Sequence, residues 1–174
     1  LTHYITDSET KKIIKSPYFH INIANKIKRE KRIKTLLRWA RAHAKSVLAD
    51  LFIPLWLWIN NDINYMIIIG NNEDKAKILI SDLQAEFSAN ELIKNDFGEQ
   101  HRYGSWEDGY FVTQNGFVCK ALGMGQDARG LRWKKQRPDY IVADDLEDKD
   151  TLKNPKKQDE IANWILTSVI PTMD

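Results

Sequence analysis

The chain has 174 residues, of which 43% are apolar and 29% are charged. This balance is typical of one globular domain with a sizeable core, and it excludes an intrinsically disordered chain. The net charge is only +2, so the composition alone does not require a nucleic-acid partner. The sole cysteine, Cys119, excludes a disulfide framework and a cysteine-based zinc site.

Positive charge is concentrated in two stretches of the chain. Residues 26–41 contain eight lysines and arginines against one glutamate, and residues 131–137 contain four more. Such patches suit either phosphate groups or solvent, and the sequence leaves both interpretations open.

The first residues are polar and do not form a secretory signal. The longest apolar run, residues 47–59, contains Asp50 and Pro54 and is too short to span a bilayer. We therefore expect a soluble intracellular protein. The chain lacks an initial methionine, and we expect it to be part of a longer protein.

The spacing of apolar residues predicts helices and strands in alternation, after an irregular lead-in over residues 1–20. Helices are predicted at 21–34, 46–58, 72–88 and 156–169, and strands at 33–37, 65–69, 109–114, 117–122 and 140–143. Pro54 is expected to kink or end the second helix. Asn71 or Asn72 is the expected N-cap of the third helix, and Pro155 suits the first turn of the last one.

The predicted strands indicate the fold class. Residues 65–69 form a continuous apolar run closed by Gly70, which is typical of a strand buried on both faces of a parallel sheet. Asn115-Gly116 predicts a hairpin with a type I′ turn. We therefore expect an α/β fold of the P-loop NTPase kind, with a mostly parallel sheet flanked by helices and an inserted β-hairpin. Residues 1–174 are expected to form a single, incomplete domain.

The first candidate site is the stretch Arg41-Ala-His-Ala-Lys-Ser46, which leads into the predicted helix at 46–58. A phosphate-binding loop has a lysine and a hydroxyl residue at this point, and the following helix directs its N-terminus at the phosphates. The stretch lacks the glycines that permit positive φ and close approach of backbone N–H groups. If Ala42 or Ala44 is left-handed, we expect strain of about 1 kcal/mol. The alternative is a basic stretch before a buried helix.

The second candidate site is a group of carboxylates that follows the predicted strand at 140–143. Asp144, Asp145, Glu147 and Asp148 lie within five positions. Carboxylates at the carboxyl end of a parallel strand lie where open α/β sheets bind ligands, and Mg²⁺ would relieve their mutual repulsion. The alternative is an acidic cap or a solvated loop.

Together the two motifs have the layout of a P-loop ATPase. Lys45 would reach the β- and γ-phosphates, while Ser46 and Asp144 would hold Mg²⁺. Asp145, or Glu147 two residues later, would polarise the attacking water. Many P-loop ATPases have glutamate directly after the magnesium aspartate. Because Asp145 is shorter, the choice between these two carboxylates stays open.

Four segments, in order, resemble the large terminase subunit, the ATPase motor that packages DNA in tailed bacteriophages. PYFH at 17–20 is similar to a Pro-x-x-His lead-in, and WARAHAKS at 39–46 is similar to the family's divergent phosphate loop. Residues 67–98 resemble the segment after that loop's helix, which ends in Asp-Phe-Gly. The most specific match is GMGQDARGLRWKKQRPDYIVADDLED at 123–148.

The resemblance implies hydrolysis of ATP with Mg²⁺, coupled to translocation of double-stranded DNA into a procapsid. It implies nucleotide contacts from Arg41, Ala42, His43, Ala44, Lys45, Ser46 and Val47. It also implies a trans-acting arginine finger, for which Arg129 is the first choice and Arg132 the second.

The implied partners are a portal protein and a small terminase subunit, with the chain in a homo-oligomeric ring on the portal. The implied location is the cytoplasm of the infected bacterial host. The family's nuclease domain would lie beyond Asp174, so no nuclease role is expected for these residues.

Three other interpretations remain open. One is a different P-loop ATPase, such as a helicase-like enzyme. Another is a degenerate module that binds nucleotide or DNA without hydrolysis, which the missing glycines favour. The third is a metal-dependent nuclease built on the carboxylates at 144–148, although Glu107 and Asp108 are poor candidates for its further ligands.

Overall fold

The computed structural model describes residues 15–30, 32–148 and 151–173. Its centre is a mixed five-stranded sheet in the order β2-β3-β4-β1-β5. The strands are β1 (Tyr65–Gly70), β2 (Trp106–Glu107), β3 (Tyr110–Val112), β4 (Val118–Gly123) and β5 (Tyr140–Ala143). β1 pairs in parallel with β4 and β5, whereas β2, β3 and β4 pair antiparallel. The predicted α/β class with a mostly parallel core is confirmed.

β1 is the central strand because its side chains are apolar on both faces. Met66 and Ile68 pack on one side of the sheet, in a cluster with the helices that follow the phosphate-loop stretch and β1. Ile67 and Ile69 pack on the other side, together with Val169 near the chain's end. All residues of β1 are buried, as the continuous apolar run predicts.

Helices cover both faces of this sheet. They are α1 (Tyr18–Arg29), α2 (Ile53–Ile59), α3 (Glu73–Ala89), α4 (Glu91–Phe97) and α5 (Pro155–Trp164). A π-helical turn at Val47–Phe52 precedes α2, and another at Ile165–Val169 follows α5. The predicted helices at 46–58, 72–88 and 156–169 therefore exist, with small shifts in their ends.

Asparagine side chains cap the N-termini of three of the helices. Asn72 accepts a hydrogen bond from the Lys75 N–H and caps α3, which settles the choice between Asn71 and Asn72. Asn90 caps α4 and Asn154 caps α5 in the same way. Pro155 lies in the first turn of α5, where its missing N–H costs nothing.

Pro54 neither ends nor sharply interrupts its helix. The π-helical turn before it contains a bond from the Ile53 N–H to the Leu48 carbonyl, five residues back. Pro54 then lies at the start of α2, where it has no N–H to donate. The wider turn accommodates the proline without a break.

The predicted strand at 33–37 is absent from the sheet. Trp39 instead stacks on His20 of α1 at 5.2 Å and meets Phe19 at 5.0 Å, while Leu36 is exposed. Lys34 lies within this stretch and Arg32 and Arg38 flank it, and placing these cations in a sheet interior would cost desolvation energy. β5 therefore forms one edge of the described sheet.

Two local predictions also differ from the structure. The helix predicted at 21–34 begins earlier, at Tyr18, and ends at Arg29. The hairpin turn is not type I′. That turn needs positive φ at two successive residues, but among Gln114, Asn115 and Gly116 only Gly116 has positive φ. The Thr113 side chain instead accepts from the Phe117 N–H and stabilises a longer turn. The lead-in before residue 15 lies outside the described residues.

The carboxyl ends of β1 and β4 lie directly against the start of α3. A Cβ on Gly123 would come within 2.6 Å of the Glu73 nitrogen, and one on Gly70 within 2.8 Å of the Ala76 nitrogen. Only glycine permits this close approach. The two strands and α3 therefore define one edge of the sheet, at which the candidate site lies.

Within the described ranges, no helix is long and apolar enough to cross a membrane.

Candidate phosphate and magnesium site

The two motifs of the sequence meet at the carboxyl end of β5. Asp144 follows this strand, and its Oδ1 lies 2.8 Å from the Lys45 ammonium nitrogen. The Ser46 hydroxyl donates a hydrogen bond to the other oxygen, Oδ2, of the same carboxylate. Asp144 is only 7% exposed. Residues 98 positions apart in sequence thus share one contact.

Asp144 is held by the sheet as well as by its side-chain contacts. Its N–H donates to the Ile69 carbonyl at 3.0 Å, which continues the β1–β5 pairing by one residue. Burial alone would raise the pKa of the Asp144 carboxyl, but hydrogen bonds from Lys45 and Ser46, with the Lys45 charge, outweigh burial and lower it. Asp144 is therefore an anion at neutral pH.

The loop before Lys45 has the conformation that glycine would provide. Ala42 has φ of 66° and Ala44 has φ of 50°, so both alanines are left-handed. The Leu48 N–H donates to the Ala44 carbonyl at 2.9 Å, and the helical backbone is established by residue 45. The loop thus ends at a helix N-terminus, which favours anions.

The side of the loop is supported by α1. The His20 Nε2 donates to the His43 carbonyl at 2.8 Å, and His20 is buried. The His43 Nδ1 lies 3.1 Å from the Arg41 carbonyl and 3.2 Å from the Ala40 carbonyl. His43 therefore stabilises the turn. The supporting role of His20 is not apparent from the sequence.

Other predicted loop residues are exposed. The Arg41 side chain and Val47 face solvent, and Val47 lies in the first turn of the helical segment. The Phe19 ring lies 5.6 Å from the His43 ring, beside the loop. The lead-in at 17–20 therefore lies close to the loop.

Asp145 and Glu147, the two candidates for activating water, lie outside the Lys45–Ser46–Asp144 contact. Asp145 has φ of 49° and an exposed side chain, and its Oδ2 lies 3.9 Å from the Lys75 ammonium. Glu147 is exposed. Between them, the Leu146 carbonyl accepts from the Asn71 amide at 2.8 Å, which attaches this segment to the end of β1. The structure does not choose between the two carboxylates.

The loop that carries Arg129 is anchored at Gln126. The Gln126 amide oxygen accepts from the Gly123 N–H at 2.8 Å, and its nitrogen donates to Glu73 at 2.7 Å. The Arg129 side chain itself is exposed, as is that of Arg132. Neither forms an ion pair with Asp144 or another described carboxylate.

A further carboxylate, Asp50, lies beneath the site in the π-helical turn. It is 4% exposed, and neither of its oxygens has a hydrogen-bond partner among the described residues. Burial, reinforced by the charge of Asp144 and opposed by that of Lys45, raises its pKa to about 8. The sequence offers no signal for this residue beyond an acid inside an apolar run.

The donor atoms present fit Mg²⁺. The Ser46 hydroxyl and the Asp144 carboxylate are hard oxygen donors already in contact with one another. Mg²⁺ takes one or two such groups and completes its shell with phosphate oxygens and water. Within residues 15–30, 32–148 and 151–173, no group of three or more histidines, cysteines or acids could hold a metal alone.

Comparison of the chain with known protein families, curated proteins and solved structures finds no match.

Proposed function

We propose that this chain is the ATP-hydrolysing motor domain of a phage large terminase subunit, which couples ATP hydrolysis to packaging of double-stranded DNA. The observation that carries the nucleotide site is the shared contact of Lys45 and Ser46 with Asp144. The left-handed Ala42 and Ala44 support it, because they bend the backbone as the glycines of a phosphate loop do. The order of the four resembling segments supports the terminase assignment.

In the proposed mechanism, the backbone N–H groups of residues 42–46 bind the phosphates at the helix N-terminus. Lys45 would leave Asp144 for the β- and γ-phosphates, and the Ser46 and Asp144 oxygens would hold Mg²⁺. Mg²⁺, when bound, neutralises charge on the phosphate oxygens. Asp145 or Glu147 orients the attacking water.

Arg129, on the exposed loop after β4, is positioned in this proposal to act on a neighbouring subunit's ATP in a ring. The proposal places the chain in the cytoplasm of an infected bacterium, with portal protein and small terminase subunit as partners. It assigns a P-loop NTPase fold, although the strand that precedes the phosphate loop in such folds is not formed here.

A second candidate is a module that binds nucleotide without hydrolysing it. The exposed positions of Asp145 and Glu147, away from Lys45 and Asp144, favour this candidate. The motor and the module would bind nucleotide at the same site, but only the motor would release phosphate.

Calorimetric titration with Mg·ATP tests the proposed site. Lys45→Ala should weaken binding about tenfold or more, because a hydrogen bond to a charged group contributes ~1.5–3 kcal/mol. Lys156→Ala, which removes an exposed lysine of α5, is the matched control and should bind like the unaltered chain. A thermal melt checks that the Lys45 variant is folded, since it loses the ion pair with Asp144.

Equal binding by the unaltered chain and Lys45→Ala, or no binding by either, would show that the phosphate-loop assignment is wrong. Phosphate release in the presence of double-stranded DNA then separates the motor from the non-hydrolysing module. A chain that binds Mg·ATP but releases no phosphate would favour the module.

A further inference from the structure

A second basic feature lies at the opposite edge of the sheet from Lys45 and Asp144. It is a cleft of about 550 Å³ between the β3–β4 turn and the segment before β5. Arg102, Lys134 and Lys135 line this cleft, with Trp133 between them, and none of the described residues that line it is a carboxylate. This cationic surface, which we call the Trp133 cleft, has no part in the proposed ATP site.

The two lysines are presented by a tight turn. Trp133 and Gln136 exchange reciprocal backbone hydrogen bonds of 3.0 and 2.9 Å, which leaves Lys134 and Lys135 at the tip. Both lysines are exposed. The Trp133 side chain packs against the core cluster on one face of the sheet, so the turn has a rigid base.

The cations of the cleft are arranged around the Trp133 ring. The Lys134 ammonium lies 4.3 Å from the ring centroid, and the Arg102 guanidinium lies 5.9 Å from it. These cation–π contacts hold the charges close together despite their mutual repulsion. Since cations already occupy the ring, it is poorly available for stacking on a base, and the cleft is better suited to backbone phosphates.

A neighbouring amide adds a hydrogen-bond donor to the lining. The Asn115 amide oxygen accepts from the Trp58 indole N–H at 3.2 Å and also from the Thr113 hydroxyl. Because its oxygen is occupied, the Asn115 amide presents its NH₂ group as a donor. Donors and cations together, without an acidic side chain among the described lining residues, indicate an anionic ligand.

The sheet separates this cleft from the ATP site. The β3–β4 turn precedes β4, whereas the ATP site follows β5, and β4 and β5 both run parallel to β1. A strand of six residues, such as β1, is about 20 Å long. A ligand of the Trp133 cleft would therefore not compete directly with ATP.

We propose that the Trp133 cleft binds the phosphate backbone of double-stranded DNA, without reading its sequence. The choice of DNA as the polyanion rests on the proposed motor function, whereas the cationic cleft itself does not depend on ATP. Arg102, Lys134 and Lys135 contact phosphates, and Trp133 positions Arg102 and Lys134.

The test measures fluorescence anisotropy of a labelled 20-base-pair DNA duplex, without nucleotide, over a range of salt concentrations. Lys134→Ala/Lys135→Ala should weaken binding about tenfold or more at low salt and reduce the slope of log K against log salt by about 2. The control, Lys153→Ala/Lys156→Ala, removes the same charge from exposed lysines elsewhere. It should leave both quantities nearly unchanged.

The inference is overturned if both double variants lose affinity equally, because binding would then reflect net charge alone. It is also overturned if the unaltered chain fails to bind the duplex, or if polyglutamate binds the cleft more tightly than DNA does. Should the double variant melt early, Lys135→Ala alone carries the same test.

Mg·ATP titration of the same preparations separates this inference from the proposed function. The cleft variant should bind Mg·ATP normally, and Lys45→Ala should bind the duplex normally. If the unaltered chain binds Mg·ATP but not the duplex, the DNA-binding role of the cleft is wrong and the proposed ATP site is unaffected.

Discussion

Ala42 and Ala44 determine the shape of the candidate phosphate loop. Both have left-handed φ values, which L-residues with a Cβ avoid at a cost of roughly 1–2 kcal/mol each. Such strain persists only where surrounding structure holds the backbone, and here His20 holds the His43 carbonyl between the two alanines. The loop therefore keeps two left-handed positions without glycine.

This conformation predicts an unusual response to glycine. Ala44→Gly should change the free energy of unfolding by less than about 0.5 kcal/mol, because relief of strain offsets the extra freedom of the unfolded chain. Ala85→Gly, at an exposed interior position of α3, should cost about 1 kcal/mol. Urea unfolding of the two variants measures the difference. If Ala44→Gly costs as much as Ala85→Gly, Ala44 is not left-handed.

Individual residues of the site were predictable where their chemistry is local. Lys45, Ser46 and Asp144 could be selected because a lysine-hydroxyl pair before a helix and a carboxylate after a strand have recognisable neighbours in sequence. Asp50 could not be selected, because its significance depends on its proximity to Asp144 and Lys45 in space. His20 was missed as a support for the same reason.

At the scale of elements, the π-helical turn Val47–Phe52 connects the candidate site to the core. It carries Asp50 inward, where the carboxyl has no hydrogen-bond partner among the described residues. The Ala49 carbonyl in the same turn accepts from the Tyr140 hydroxyl of β5 at 3.0 Å. Turns of this type are frequent at functional sites.

The buried Asp50 predicts a pH-dependent stability. Its pKa is 3.8 in an unperturbed chain and about 8 in the folded protein, so its folded form favours the protonated acid. The associated stability is fully present below about pH 4 and is lost as the pH rises towards 8. The Asp50→Asn side chain stays neutral, so the stability of this variant should increase relative to the unaltered chain as the pH rises between these values. Since one pKa unit corresponds to about 1.4 kcal/mol, half of this shift would make the gain in free energy of unfolding about 3 kcal/mol.

Urea unfolding at pH 5 and pH 8 measures this gain. Asp159→Asn, which changes an exposed aspartate of α5, is the control and should have the same effect at both pH values. An Asp50→Asn difference that does not grow with pH would mean that the Asp50 carboxyl is ionised in the folded protein.

The elements themselves were predictable where the pattern is long or unambiguous. The apolar run of β1 and the seventeen-residue α3 gave clear signals. The strand predicted at 33–37 was wrong, since Leu36 is exposed and Trp39, just after the stretch, packs on α1. α4 and β2, with seven and two residues, are too short for a periodic pattern.

At the scale of the molecule, the candidate phosphate site and the Trp133 cleft lie at opposite ends of the strands of the sheet. The carboxyl ends of β1 and β5 bring Lys45, Ser46 and Asp144 together, while the turn before β4 contributes to the Trp133 cleft. Open α/β sheets bind ligands at the carboxyl ends of their strands, which fits the first site. A motor would use the arrangement to bind nucleotide and DNA at once.

Ser46 and Asp144 are proposed to bind Mg²⁺ together with ATP, and the Mg²⁺ dependence of ATP affinity tests this proposal most directly. Calorimetry with and without Mg²⁺ should show tighter ATP binding with the metal, by about tenfold or ~1.4 kcal/mol. Ser46→Ala should remove most of that gain, while Ser81→Ala, an exposed serine of α3, should retain it. Equal ATP affinity with and without Mg²⁺, or a full gain in Ser46→Ala, would contradict the account.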